Sequence, residues 1–166
     1  MTLPDLRADC ARCAALCCVA LAFDRGGMFA YDKPAGEPCR HLQAAGGCAI
    51  HARRAAEGFA GCIAYDCLGA GSRVTAELFG GQDWREAPEL LGPMMQAFSA
   101  VERAHRGLAL LAEAAKLPLS PLQRDRLSSL AAALTKAGGD LEAVMRLDAP
   151  TQAFLRSLGD RVRRRG

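Results

Sequence analysis

Lysine is scarce in this chain, aromatic side chains are few, and the second half has no cysteine at all. Lys33, Lys116 and Lys136 are the only lysines among 21 basic residues, and 18 acidic residues leave a net charge of +3. So small a surplus argues against nucleic acid as a partner, because phosphate neutralisation needs a concentrated excess of positive charge. The preference for arginine, alongside abundant alanine, reads as codon bias rather than function. No run of about twenty consecutive apolar residues occurs, so no membrane span is expected. The opening "MTLPDLRADC" lacks the basic start and apolar stretch of a secretory signal. HExxH, P-loop and nucleophile-elbow patterns are also missing, so no common catalytic fingerprint is present. The expected setting is a reducing cytoplasm, where clustered cysteines more often bind metal or do thiol chemistry than form disulfides.

What one half lacks, the other concentrates. Cys10, Cys13, Cys17, Cys18, Cys39, Cys48, Cys62 and Cys67 fall within 58 residues. Regular structure is thin there. Val19, Leu21 and Phe23, then "DRGG" and Met28 to Tyr31, leave room for a short β-hairpin, and "KPAGEP" is loop. His51 to Phe59 and residues 70–78 each fit two helical turns, the second ended by Gly80-Gly81. The rest reads as helix. Asp83 and Glu86 suggest a capped start to a long helix. Leu91, Met94, Phe98, Val101, His105, Leu108 and Ala112 line one face of it, and Pro93 marks a restart or kink. Ser120-Pro121 and Gln123 form a capping box for the next helix, which carries Leu127, Leu130 and Leu134 and ends at Gly138-Gly139. Asp140 caps a short helix with Leu141, Val144 and Leu147, and Pro150 opens a last one with Phe154, Leu158 and Val162. The fold expected is mainly α: an irregular cysteine-rich module over residues 1–82, followed by an antiparallel helical bundle over 83–166.

Thiolates are soft, charged donors suited to zinc and iron. Cys10-x2-Cys13 has the spacing that lets one loop supply two ligands, and Cys17 or Cys18 adds a third. Cys48-x2-His51 and Cys62-x4-Cys67 offer further pairs. Eight thiols exceed one mononuclear site and suit two sites, or one cluster with structural cysteines beside it. Cys17 and Cys18 are adjacent, and in an extended segment they would point to opposite faces. The spacing matches neither the bacterial ferredoxin run nor a thioredoxin-type pair in a βαβ unit. Disulfide staples are the rival chemistry, and buried packing is the bland reading of any single cysteine. His41 and His51 stand beside cysteines and are candidates to complete a mixed site. A thiol nucleophile remains open, since Asp66 flanks Cys67, but nothing singles out one cysteine. His105 reads as a core histidine. Gly69 to Ser72 reads as a turn rather than an anion cradle. Arg161, Arg163, Arg164 and Arg165 read as a basic helix end that complements the helix dipole.

The order "CARCAALCC", "PCRHL", "GCAIHARR", "GFAGCIAYDCLGAG" resembles the YkgJ-type cysteine-cluster family, whose domain is described as zinc- or iron-chelating. It is more similar still to the cysteine-rich N-terminal region of certain bacterial pentapeptide-repeat proteins, a likeness that extends past "FGGQDWR". No pentapeptide repeats occur in this chain, so whatever those repeats do is not carried over. His51 stands where the family pattern more often has tyrosine, and "RRAAEGFAGC" replaces its Arg-Pro. By this resemblance all eight cysteines match family cysteines. The function expected is a metal-binding protein that chelates zinc or an iron–sulfur cluster, in a structural or partner-binding role. The partner would be a protein recruited by the helical region. The alternative is a redox or group-transfer enzyme that uses an iron–sulfur cluster at the same cysteines.

Overall fold

The computed structural model describes residues 4–163, with side chains as far as residue 159. Arg164 and Arg165 of the basic tail lie outside the described residues, as do the side chains of Arg161, Val162 and Arg163. The protein is mainly helical. In order come α1 (Leu16–Ala20), α2 (Ala60–Ala64), α3 (Ala70–Arg73), α4 (Leu91–Ala114), α5 (Pro121–Ala137) and α6 (Leu141–Arg163). Two compact units divide the chain between Phe98 and Ser99, inside α4. The second unit also takes in the short stretch ending at Leu6. The composition change at Gly80-Gly81 is therefore not where the packing divides. No helix among the described residues is long and apolar enough to cross a membrane.

In the second unit the C-terminal part of α4, α5 and α6 share one core. Ala100, Ala104, Leu108, Leu111, Leu127, Leu130, Leu134, Val144, Phe154 and Leu158 belong to it. These residues recur every three or four positions, so each helix buries one stripe. Ser120 caps α5 by accepting from the Gln123 amide at 3.3 Å, while the Gln123 side chain accepts from the Ser120 amide at 2.9 Å. This is the capping box read in the sequence. Gly138, at φ +57, ends α5. His105 is buried on α4, among the core positions.

Pro150 does not open a helix. It lies inside α6, which runs unbroken from Leu141, so the two short helices expected there are one. The lost amide hydrogen bond is offset by an apolar stripe that continues from Val144 to Phe154 on one face. Asp83 does not start α4 either. Its carboxylate accepts from the Arg85 amide at 2.8 Å, and its carbonyl accepts from Glu86 and Ala87, which closes a turn. The helix begins later, through a 3-10 turn at Pro88–Leu90. Pro93 falls in the first turn of α4, where a proline removes no intrahelical bond, and so neither kinks nor restarts it.

The first unit has little regular structure. The expected hairpin is reduced to two isolated antiparallel bridges, Phe23 with Lys33 and Gly26 with Phe29. Residues 51–59 form one 3-10 turn, His51–Arg53, and a run of turns rather than two helical turns. Residues 70–78 are helical as expected, with α3 passing into a π turn at Val74–Leu78. Leu108 has no exposed surface. Leu108→Ala is expected to destabilise the helical unit by about 2–5 kcal/mol, read by urea unfolding followed by helical circular dichroism.

Candidate functional site

The cysteine region is built outward from α1. Leu16 and Val19 have no exposed surface and fix the helix against the unit's apolar interior. The residue before its N-cap, Ala14, is also buried, so its peptide groups need partners. Both partners are distant side chains. Thr75 Oγ1 accepts from the Ala14 amide at 3.0 Å and donates to the Gly71 carbonyl at 3.0 Å. Trp84 Nε1 donates to the Ala14 carbonyl at 2.7 Å. The single tryptophan and a threonine of the π turn thus clamp the bend that carries Cys13.

That bend is strained. Ala15 and Leu68, at φ +55 and +51, are the only non-glycine residues with positive φ among those described. Such a conformation costs about 1–2 kcal/mol for a residue with a side chain. Each follows a cysteine closely. Ala15 turns the chain so that the amides of Ala15 and Leu16 both donate to Cys13 Sγ. Leu68 follows Cys67 in a turn where the Asp66 carboxylate accepts from the Leu68 amide at 2.8 Å. Asp66 therefore serves the turn rather than a thiol. Gly71 faces Cys13, and a Cβ there would lie 2.5 Å from the sulfur, so glycine is what admits the thiol.

Cys17 and Cys18 are both on α1, not in an extended segment. Helical geometry still separates adjacent side chains by about 100°. Cys17 lies in the electrostatic neighbourhood of Cys13 and Cys67, and Cys13 in that of Cys10 and Cys67. Cys62 lies in that of Cys18, Cys39 and Cys48. Cys10 lies in that of Cys67 and Cys18, so the neighbourhoods overlap across α1. The Cys17 and Cys18 thiols hydrogen-bond to each other. All eight are free thiols. Among the described residues, no three cysteine, histidine, aspartate or glutamate side chains close to coordination geometry.

Cys39 sits beside an aromatic cluster. Phe23 stacks on Phe29 at 4.3 Å between centroids, and Phe59 meets Tyr31 and His41 edge-on at 5.5 and 5.0 Å. A Cβ at Gly61 would collide with the Phe29 ring, so the start of α2 can approach only as glycine. Cys39 Sγ accepts from the His41 amide at 3.5 Å and pairs with Tyr31 Oη at 3.1 Å. Since Tyr31 Oη accepts from the Arg40 amide at 3.1 Å, its own proton is free for the sulfur. Burial, then this contact, pushes the Tyr31 hydroxyl up to about 12.

Cations stand close to the thiols. Lys33 is buried and donates to the carbonyls of Val19, Pro34 and Glu37 at 3.2, 3.0 and 2.7 Å. Arg54 donates to the carbonyls of His51 and Cys62 at 2.9 and 3.2 Å. The Cys17 thiol, together with the Lys33 and Arg54 charges, brings Cys18 down to about 7 against its burial. The same hydrogen bond, with burial, raises Cys17. Burial also raises Cys10, Cys13 and Cys62.

The two candidate histidines stand in different surroundings. The ring of His41 packs in the aromatic cluster, and His51 is exposed, contributing its carbonyl to Arg54. Sequence reasoning passed over Tyr31, Lys33, Arg54, Gly71, Thr75 and Trp84. The available signals were a lone lysine and a lone tryptophan flanking a cysteine-rich stretch.

No family model matches the chain, and no solved structure does. It is 42% identical over 116 residues to the uncharacterized protein YybG of Bacillus subtilis, a match covering 70% of this chain and 42% of that one. The chain thus spans less than half the length of this relative. A match of that length takes in residues 51–116 wherever it starts, so the likeness reaches past the last cysteine and through α4.

Thr75→Val keeps the shape but leaves the buried Ala14 amide without its acceptor. It is expected to destabilise the first unit by about 1–3 kcal/mol, measured as faster hydrogen exchange at Ala14 and Cys13 with the α5 amides unaffected.

Proposed function

We propose that the cysteine region is a metal-binding module that holds zinc or an iron–sulfur cluster through thiolates. The observation that supports this reading is that eight free thiols fall within one compact unit, beside the fixed cations Lys33 and Arg54. The residues fit such a group in kind and number. Four soft donors complete a tetrahedral zinc site or a cluster. The amide-to-sulfur bonds at Cys13 and Cys39 are the outer-shell contacts that orient thiolate ligands. Lys33 and Arg54 supply positive charge beside sulfurs that would otherwise repel one another. The resemblance of the cysteine order to YkgJ-type chelating domains points the same way. Bound metal would add the folding free energy that a unit so poor in regular structure lacks, about 10 kcal/mol or more for a structural zinc. The helical unit then serves as a platform for a protein partner.

Metal analysis of natively produced, anaerobically handled protein tests this. The expected result is metal in stoichiometric amount, reduced in Cys62→Ser and in Cys13→Ser. Brown colour with visible charge-transfer absorption identifies a cluster and revives the redox or group-transfer enzyme. Metal-free protein with disulfides refutes metal binding altogether. Chelation is expected to abolish hydrogen-exchange protection across residues 10–70 while α5 and α6 keep theirs.

A further inference from the structure

The helical unit carries a cleft of about 370 Å³ between α4 and α6, with Leu134 of α5 at its floor. That volume falls within the range of small-molecule sites, about 300–1,000 Å³. Helical spacing builds the walls. Glu102, Arg106 and Leu110 recur at four-residue steps along α4, and Asp148, Thr151 and Gln152 share one face of α6. A Cβ at Gly107 would lie 2.9 Å from Leu134 Cδ1, so glycine is what lets α5 close the bottom. The rim is charged yet balanced. Arg103 Nη1 donates to Asp148 from one helix to the other at 2.6 Å, and Arg106 pairs with Glu102 along α4. Each pair engages one guanidinium nitrogen, so both arginines keep donors for a ligand. In the wall Thr151 is 3% exposed, and its Oγ1 has no hydrogen-bond partner among the described residues. A buried hydroxyl left in that condition is uncommon, and a bound polar group relieves it. Leu110 presents an exposed apolar side chain to the same space.

We propose that this cleft binds a small zwitterion with an apolar body, a free α-amino acid with an aliphatic side chain. Charge complementarity selects that class. The two arginines and two carboxylates of the rim cancel, so a ligand of one sign meets repulsion from half of it. An α-amino acid presents both signs. Its carboxylate accepts from the Arg103 and Arg106 guanidinium groups, whose planar fork matches it. Its ammonium donates to Glu102 and Asp148. Its side chain lies over Gly107, Leu110 and Leu134, and takes the exposed face of Leu110 out of water. The Thr151 hydroxyl, turned about its Cα–Cβ bond, donates to the ligand carboxylate. A phosphorylated ligand is disfavoured, because its greater negative charge faces the same two carboxylates. Every residue of the cleft belongs to the helical unit, so the site is independent of what the cysteines hold.

Titration of the full chain with L-leucine, followed through amide chemical shifts, tests this. Saturable shifts are expected around Arg103, Gly107 and Thr151, with the amides of the cysteine region unmoved. Isocaproate, which lacks the ammonium, and isoamylamine, which lacks the carboxylate, should each bind about tenfold more weakly or worse. Arg106→Gln alters a largely exposed side chain and so leaves the fold intact, and it should weaken leucine by a similar factor. Thr151→Val should weaken leucine about five- to tenfold, yet leave Tm without leucine unchanged or raised, since no hydrogen bond is lost. No saturable shift at millimolar leucine, equal binding of either analogue, or undiminished affinity in Arg106→Gln overturns the proposal. A Tm lowered by Thr151→Val in the absence of leucine shows that the hydroxyl serves the fold, and removes it from the site.

Discussion

The capture of Ala14 by two distant side chains is the contact on which the cysteine region depends. Ala14 is buried and irregular, so neither of its peptide groups has a neighbour along the chain to bond. Thr75 and Trp84 supply those bonds from 61 and 70 residues away. This ties the first cysteines to the turn that follows the last ones. It also places Gly71 against Cys13 and holds Ala15 in a conformation that residues with side chains avoid. The strain appears where the chain must bend sharply between two cysteines, and Leu68 repeats it beside Cys67. Backbone strain of this kind persists only where surrounding contacts over-determine it.

Electrostatics imposes a second constraint. Eight thiols in one small unit become costly as they lose protons, since each thiolate raises the cost of the next. The fold answers with fixed cations rather than exposed flexible ones. Lys33 is buried yet satisfied by three carbonyls, and Arg54 is held by two. Both donate to backbone oxygens, so their charges stay near the sulfurs without competing as salt-bridge partners. The Cys17–Cys18 hydrogen bond lets the second thiol ionise early at the expense of the first. A metal ion bound there would replace these partial compensations with a full one.

Much of the helical half was legible in the sequence because its signals are local. The Ser120 capping box, the Gly138 stop and the Leu127, Leu130 and Leu134 stripe each depend on residues within one or two turns. Pro150 was misread because continuous apolar packing overrode a local break signal. Asp83 was misread because an Asx-type turn and a helix cap share the same residue preference. In the cysteine region Cys17 and Cys18 were read as extended, with side chains on opposite faces, whereas both lie on α1 and their thiols interact. Which cysteines neighbour one another, such as Cys67 with Cys10 and Cys39 with Cys62, could not be read, since it is set by contacts between segments about 20 to 60 residues apart. The same holds for Trp84, whose role depends on a carbonyl 70 positions away.

The central claim is that the cysteine thiols are the ligands of a bound metal. X-ray absorption at the metal edge of natively produced protein measures the donors directly. The account predicts a first shell of sulfur alone, four per zinc at about 2.3 Å, or iron–sulfur distances with sulfur-only terminal ligands. A first shell dominated by nitrogen or oxygen, with His41 or His51 imidazole scattering in place of sulfur, would contradict it.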